Sequence, residues 1–178
     1  MNIKNKAIWI ITILLIFIEQ GIKIIIYNNY MNNSFPIMKP WLYFEPMFNV
    51  DYSWINSMLQ LGVGKYVHIF IVLVMIAFIL IFYKFLSSHV ENTLLIDTTF
   101  GFIIAGAFCS LIDKVFWNGS LDFIYVKGFF TFDLKDVYIN VFIGLVILMC
   151  IFNYKGLRKV DDGEVMKAFF KFIKGGEK

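Results

Sequence analysis

Long apolar runs separated by short polar segments dominate this chain. Four of them approach or reach membrane-spanning length, at residues 7–27, 66–86, 94–113 and 137–153. A helix needs about 20 consecutive apolar residues to cross the hydrocarbon core of a bilayer. The pattern therefore predicts an all-α membrane protein built on a bundle of four transmembrane helices.

The composition agrees with this prediction. Of the 178 residues, 60% are hydrophobic and only 16% are charged, whereas ordinary soluble domains are nearer half apolar and a quarter charged. The first run follows lysines, as a signal peptide does, but it is too long and contains Glu19 and Lys23. We interpret it as a retained first span.

Basic residues are unevenly distributed between the segments that connect the runs. Lys4 and Lys6 precede the first run, and Lys84 lies beside the turn between the second and third. Seven more follow the fourth run: Lys155, Arg158, Lys159, Lys167, Lys171, Lys174 and Lys178. Because positive charge is retained on the cytoplasmic side, we expect both termini to be cytoplasmic and connections 28–65 and 114–135 to face outward.

The outer segment 28–65 and the tail 154–178 differ from the spans. The outer segment is rich in aromatic rings that settle at headgroup depth, and its three prolines prevent one continuous helix. We expect short extended segments there, followed by a brief helix near residues 52–61. The tail combines a basic stripe with apolar residues, which predicts an amphipathic helix on the inner membrane surface. The chain thus divides into a four-span domain, 1–153, and a cytoplasmic basic tail.

Charged residues inside or beside the spans converge at one depth. The first and third spans run outward, so Glu19, Lys23 and Asp113 lie toward the outer face, where the fourth span starts just after Asp136. Asp122 is held nearby by the short loop between the third and fourth spans. Two carboxyl groups crowded at low dielectric do not both ionise readily, so one can keep a proton while the other acts as a base on water.

A purely structural interpretation is open for some of these charges. Glu19 and Lys23 have the spacing of an ion pair along one helix, and Asp113 with Lys114 could end a helix. Asp122 and Asp136 are harder to explain in this way, because four acidic residues face three cations in the stretch 110–140, with Asp133 close by. That excess favours a chemical role for them.

The third run carries small residues at the spacing that lets membrane helices approach closely. Gly101 and Ala105 are four residues apart, and Gly106 and Ala107 follow. We expect this helix to be central in the bundle.

Four stretches resemble motifs of the lipoprotein signal peptidases, also called signal peptidase II. Residues 106–124, GAFCSLIDKVFWNGSLDFI, are similar to the family's GNxxDRxxxGxVxDF, and residues 130–140, FTFDLKDVYIN, to its FNxADxxI. Residues 19–23, EQGIK, resemble its first-helix DQxxK. Residues 49–54 stand where the family has NxGAAF.

The resemblance implies a function and a set of site residues. Asp122 and Asp136 match the catalytic pair of an aspartic endopeptidase that cleaves diacylglyceryl-modified prolipoproteins before the lipidated cysteine, without a metal or cofactor. The matches to supporting and substrate-binding positions are Glu19, Lys23, Asn49, Ser110, Asp113, Lys114 and Asp133. The implied fold adds a small extracytoplasmic β-cradle and a short helix, which segment 28–65 is suited to supply.

The resemblance also implies where the protein works. Such an enzyme is expected in the bacterial cytoplasmic membrane as a multi-pass monomer. Its expected partners are lipidated prolipoproteins and membrane lipids, without nucleic acid.

The chain departs from the family's motifs at several positions. Glu19 replaces Asp, Ser110 replaces Asn, Lys114 replaces Arg, and Asp133 and Lys135 replace Asn and Ala. Lysine lacks the bidentate geometry of arginine, and Asp133 adds a negative charge that Lys135 or Lys114 can compensate. The catalytic pair is intact, which favours an active, divergent enzyme.

Two other functions stay open. A catalytically silent paralogue would bind lipopeptides without cleaving them. A small ion or proton transporter would relay through Glu19, Asp113 and Asp136, but it would need carboxylates spaced across the bilayer, and only Asp97 lies toward the inner side.

The lysine distribution generates a topology prediction. Cysteines introduced at Ser34 and Lys178 should be labelled from opposite sides of the membrane by an impermeant thiol reagent. Labelling from the same side would contradict the four-span topology and the common depth of the charged residues.

Overall fold

The computed structural model describes residues 6–89, 94–117, 119–152 and 162–173. In chain order the elements are α1 (Lys6–Asn29), β1 (Phe35–Met38), β2 (Leu42–Asn49), α2 (Trp54–Leu59), α3 (Lys65–His89), α4 (Leu94–Ile112), a π-helical turn (Asp113–Trp117), β3 (Ser120–Val126), β4 (Thr131–Phe132), α5 (Leu134–Ile151) and α6 (Asp162–Ile173). The helices α1, α3 and α5, and α4 together with the π-helical turn, are long and apolar enough to cross a membrane. The four-span prediction is confirmed.

Helix α4 occupies the centre of the bundle, where it packs against α1, α3 and α5. Two glycines permit the close approach. A Cβ on Gly101 would lie 2.9 Å from Cγ2 of Ile11 in α1. One on Gly106 would lie 3.0 Å from Cγ1 of Ile139 and 3.2 Å from the carbonyl oxygen of Lys135, both in α5. The packing agrees with the central position predicted from the small residues.

The C-terminal helix α6 rests against α3. Phe169 of α6 is buried against three rings of α3, those of Phe78, Phe82 and Phe85. The tail 154–178 therefore contributes a helix over 162–173. Its remaining residues, and with them the linker to α5, lie outside the described part of the chain.

The strands form one antiparallel sheet in the order β1–β2–β3–β4. Strands β1 and β2 are the extended segments expected in segment 28–65, but β3 and β4 belong to segment 114–135. Asp122 is therefore on a strand, and the expectation of a short loop there was wrong. Leu121 and Phe123 pack into an apolar cluster with Ile26 of α1. Ser120 and Asp122, which alternate with these two residues along β3, point to the other face of the strand.

Helix α5 begins at Leu134, three residues before the predicted start of the fourth span. Asp133 caps it, because its side chain accepts a hydrogen bond from the backbone N–H of Asp136, whose carboxylate accepts one from the backbone N–H of Asp133. This reciprocal capping box places Asp136 in the first turn of α5 instead of ahead of it. The apolar pattern missed the start because the first turn is charged.

The contact between α4 and α5 generates a prediction. Gly106→Leu should lower stability by about 1–3 kcal/mol, because the new side chain must displace Ile139 and the α5 backbone. The matched control is Gly144→Leu, since nothing lies within 4 Å of a Cβ at Gly144. Thermal unfolding in detergent should show a lower midpoint for Gly106→Leu only. Equal midpoints would contradict the close contact.

Candidate active site

A cavity of about 1030 Å³ is bordered by the α2 segment, α3, the sheet and the start of α5. Most of its wall is apolar. Its polar side chains include those of Asn49, Ser110, Lys114, Ser120, Asp122, Lys135 and Asp136. The polar part of the wall thus contains five of the residues that the sequence predicted.

Side-chain hydrogen bonds shape the segment between β2 and α3. Ser53 caps α2 by accepting from the backbone N–H of Asn56. The Asn56 side chain donates to the carbonyl oxygens of Asp51 and Val63, and it accepts from the N–H of Val63. Ser53 Oγ also lies 3.3 Å from Nε2 of His68 in α3. These bonds attach the predicted short helix to the bundle beside the cavity.

Asp122 and Asp136 are brought together across the junction of β3 and α5. Carboxylate oxygens of Asp122, Asp133 and Asp136 lie within 4.8 Å of one another. Asp122 is buried, whereas the Asp136 side chain is 40% exposed. Two carboxyl groups of different solvation therefore border the same cavity.

Behind this wall lies an ion-pair network centred on Lys23 of α1. Its Nζ is 2.7 Å from Glu19, 2.6 Å from Asp113 and 2.6 Å from Asp133. All four side chains are inaccessible to solvent. The predicted Glu19–Lys23 pair is confirmed, and it also joins α1 to the end of α4 and to the cap of α5.

A second buried ammonium group, that of Lys135, completes the site. Its Nζ donates to Ser120 Oγ at 2.6 Å and to the Asp133 carboxylate. Ser120 in turn donates to Asp122 at 2.7 Å. Neither Lys135 nor Ser120 was among the predicted site residues. The signal for Ser120 is its spacing of two from Asp122, which puts both on one face of a strand.

The other predicted residues occupy the edge of the polar wall. Lys114 Nζ donates to Ser110 Oγ at 2.8 Å, while Asp113 pairs with Lys23. Helix α4 does end beside Asp113 and Lys114, at Ile112, but these two side chains bind different partners. Asn49, at the end of β2, accepts from a backbone N–H two residues later and lines the cavity.

The electrostatics separate two of the aspartates. Burial raises the pKa of Asp122, and the charge of Lys135 and the hydrogen bond from Ser120 offset this only in part. Burial also opposes ionisation of Asp133, but Lys135 and Lys23 outweigh it and hold the pKa of that carboxyl well below its usual range. The surroundings thus favour the ionised form of Asp133 and disfavour that of Asp122.

The arrangement suits acid–base chemistry on a molecule in the cavity. Five carboxyl groups share the site with three lysines, so full ionisation would leave an uncompensated negative charge at low dielectric. A carboxyl that keeps its proton beside one that is ionised can protonate a carbonyl and deprotonate water. Glu19, Asp113 and Asp133 form one group of three clustered carboxylates, and Asp122, Asp133 and Asp136 form another. The ammonium of Lys23 lies in the first group and that of Lys135 in the second.

Comparison with protein families matches residues 11–152 to the family described as Signal peptidase (SPase) II. The matched region contains every predicted site residue, from Glu19 to Asp136. A protein of Microcystis aeruginosa (strain NIES-843 / IAM M-2473), named lipoprotein signal peptidase, is 27% identical over 152 residues. That similarity covers 82% of this chain and 91% of the relative.

Two solved structures, each described as a bacterial membrane enzyme, share the fold. One, at 2.3 Å resolution, has a TM-score of 0.66 and 17% identity, covering 88% of this chain and 94% of its own. The other, at 1.9 Å resolution, has a TM-score of 0.66 and 22% identity, covering 82% and 92%. The small sheet beside four spans is therefore a known architecture.

The buried network generates a prediction for Lys23. Lys23→Ala should cost about 3–5 kcal/mol of stability and lower activity in part, because it leaves three carboxyl groups buried without their shared cation. The control is Lys127→Ala, an exposed lysine between β3 and β4. Thermal unfolding and peptide cleavage are the measurements. If Lys23→Ala were as stable and as active as the wild type, the supporting role of Lys23 would be refuted.

Proposed function

We propose a catalytic assignment from one premise: the chain belongs to the signal peptidase II family. It is a multi-pass membrane peptidase that processes lipoprotein signal peptides. In our proposal the substrates are diacylglyceryl-modified prolipoproteins, cut just before the lipidated cysteine. The resemblance of the motifs and the name of the Microcystis relative support this substrate class.

Asp122 and Asp136 are the catalytic pair in this proposal, and the protein is an aspartic endopeptidase. The observation that carries the assignment is the proximity of their carboxylate oxygens, within 4.8 Å, at the polar wall of the cavity. A single water molecule can hydrogen-bond to two carboxyl groups that lie this close together. The surplus of acids over lysines supplies the proton that the pair must share.

Hydrolysis by this pair is a balanced exchange of protons. The ionised carboxylate takes a proton from water as the water oxygen attacks the scissile carbonyl carbon, and the other carboxyl protonates the carbonyl oxygen. In the second step the C–N bond breaks. The leaving nitrogen takes the proton from the first carboxyl, and a hydroxyl of the intermediate returns one to the second. One water is consumed and the pair is restored.

The remaining site residues take two roles. Asn49, Ser110 and Lys114 border the cavity, and we assign them to substrate contact. Glu19, Lys23, Asp113 and Asp133 support the pair from behind the wall, without contact to substrate. The apolar part of the wall, which suits acyl chains and a signal-peptide segment, includes Ile55, Leu61, Val63, Ile71 and Val72.

We further propose that the protein acts as a monomer with both termini in the cytoplasm. The lysine distribution supports this orientation. The monomer proposal is supported by a site whose catalytic pair and supporting network all come from one chain.

The alternatives differ from the peptidase in ways that can be tested. A proton relay would need carboxyl groups along the bilayer, whereas Asp97, toward the other end of α4, is hydrogen-bonded to Tyr83 at 2.8 Å. A silent paralogue would keep all the contacts described above and would lack only cleavage. Incubation of the purified protein with a lipidated prolipoprotein peptide separates these possibilities.

The proposal predicts an order among three aspartate variants. Asp122→Asn and Asp136→Asn should each reduce cleavage of a lipidated peptide by at least about a hundredfold, because each removes a carboxyl that must exchange a proton. Asp133→Asn should still cleave, since asparagine also caps helices well. Cleavage is followed by mass spectrometry of the released signal peptide.

The controls decide what each outcome means. Detergent unfolding midpoints show whether a variant is folded. Loss of cleavage in Asp133→Asn together with activity in Asp136→Asn would mean that Asp133 is the partner of Asp122. Activity in both Asp122→Asn and Asp136→Asn would refute the aspartic peptidase.

A further inference from the structure

We propose that Lys135 is a positioning residue for the catalytic pair and that, acting through Ser120, it keeps Asp122 ionised and oriented. The inference rests on the proposed function and deepens it, because it assigns which carboxyl takes the proton of water. It concerns a residue at which the chain departs from the family's FNxADxxI motif, with lysine in place of alanine.

Lys135 is placed to act on both members of the pair. Its Nζ lies 3.5 Å from Asp122 Oδ1 and 4.0 Å from Asp136 Oδ2. Among the residues that the structure describes, no other lysine comes within 4.0 Å of either carboxylate. Lys135 is only 7% exposed, so solvent screens its charge weakly.

Ser120 transmits the effect of Lys135 to Asp122. The serine hydroxyl accepts a hydrogen bond from Lys135 at 2.6 Å, so its own hydrogen is turned away from the ammonium. The nearest acceptor is Asp122 Oδ1 at 2.7 Å, while Asp113 and Asp133 lie at 3.1 and 3.2 Å. A hydroxyl has one hydrogen, and the shortest contact identifies Asp122 as its acceptor. Such a bond favours the ionised carboxylate.

Asp133 holds Lys135 in this position. Its carboxylate accepts from Lys135, and the capping box fixes its backbone at the start of α5. The two departures from the motif, Asp133 for asparagine and Lys135 for alanine, therefore form one ion pair. The ammonium group of Lys135 in this ion pair also lies close to the carboxylate of Asp122.

The Asp136 side chain is 40% exposed, but its carboxylate has weaker support from protein groups for a negative charge than that of Asp122. Its Oδ2 accepts a hydrogen bond at 3.3 Å from the Asp133 backbone, and Lys135 is more distant from it than from Asp122. This asymmetry assigns the roles. Asp122 takes the proton of the attacking water, and Asp136 gives its proton to the carbonyl oxygen. Both transfers reverse when the C–N bond breaks.

The assignment has a consequence for pH dependence. The charged groups around Asp122, from the π-helical turn, α5 and its cap, and α1, are Asp113, Asp133, Asp136, Lys135 and Lys23. Lys135 lowers the pKa of Asp122 against the effect of burial. Its removal increases the excess of acids around Asp122, so Asp122 becomes ionised only at higher pH. Activity that needs the ionised form is then lost at the acidic side.

The test is a pH profile of kcat and KM for the purified full-length protein with a lipidated prolipoprotein peptide. In Lys135→Met the acidic limb of kcat should move up by about one pH unit or more, with KM little changed. At a pH on the wild-type acidic limb this lowers kcat about tenfold, and raising the pH recovers it. Ser120→Ala should move the limb in the same direction by less. Lys127→Met, the exposed control, should leave it unmoved.

The outcomes separate this inference from the proposed function. If Lys135→Met is folded and its acidic limb of kcat lies at the wild-type pH, the positioning role is refuted. If Lys135→Met fails to fold, the Ser120→Ala variant decides. An acidic limb of kcat at the wild-type pH then refutes the positioning role, and a limb at higher pH supports it. Asp122→Asn and Asp136→Asn are assayed in parallel. If both still cleave, the catalytic pair itself is wrong; if both are inactive while the limbs are unmoved, only the inference about Lys135 fails.

Discussion

The contact on which the rest of the site depends is the burial of one ammonium group among three carboxylates. Lys23 of α1 binds Glu19 on its own helix, Asp113 at the end of α4 and Asp133 at the cap of α5. Buried ion pairs add little net stability but are costly to break. The network therefore specifies the arrangement of these helices, while close van der Waals packing against α4 favours their association, because lipid provides no hydrophobic driving force between spans.

Two local features of the chain bring together the carboxyl groups of the proposed catalytic pair. The alternation of β3 buries Leu121 and Phe123 and turns Ser120 and Asp122 toward the network. The capping box of α5 holds the backbone that carries Asp136. Asp133 has two structural roles, because its side chain caps α5 and also pairs with the two buried lysines. A change at this position therefore acts on the fold and the site together.

The sequence predicts the part of this structure that follows from local pattern. Apolar length locates the spans, small residues such as Gly106 identify the central helix, and the spacing of Glu19 and Lys23 gives their pair. Strand β3 escaped prediction because its pairing partner β2 lies some 70 residues earlier in the chain. Lys135 was foreseen as a countercharge for Asp133, and the two residues do pair, but the contact of the Lys135 side chain with Ser120 escaped prediction. Its direction depends on where the sheet places Ser120, which periodicity along one helix cannot specify.

The divergent positions of the motifs are consistent with a constraint on charge. An aspartate at position 133 alone would raise the surplus of acids and a lysine at position 135 alone would lower it, whereas together they add a pair with no net charge. The motifs DQxxK, GNxxDRxxxGxVxDF and FNxADxxI hold four acids and two bases, a surplus of two acids. At the corresponding positions and at 135 this chain holds five acids and three lysines, again a surplus of two. The excess that makes a shared proton necessary is thus unchanged, although the residues that surround the pair are different.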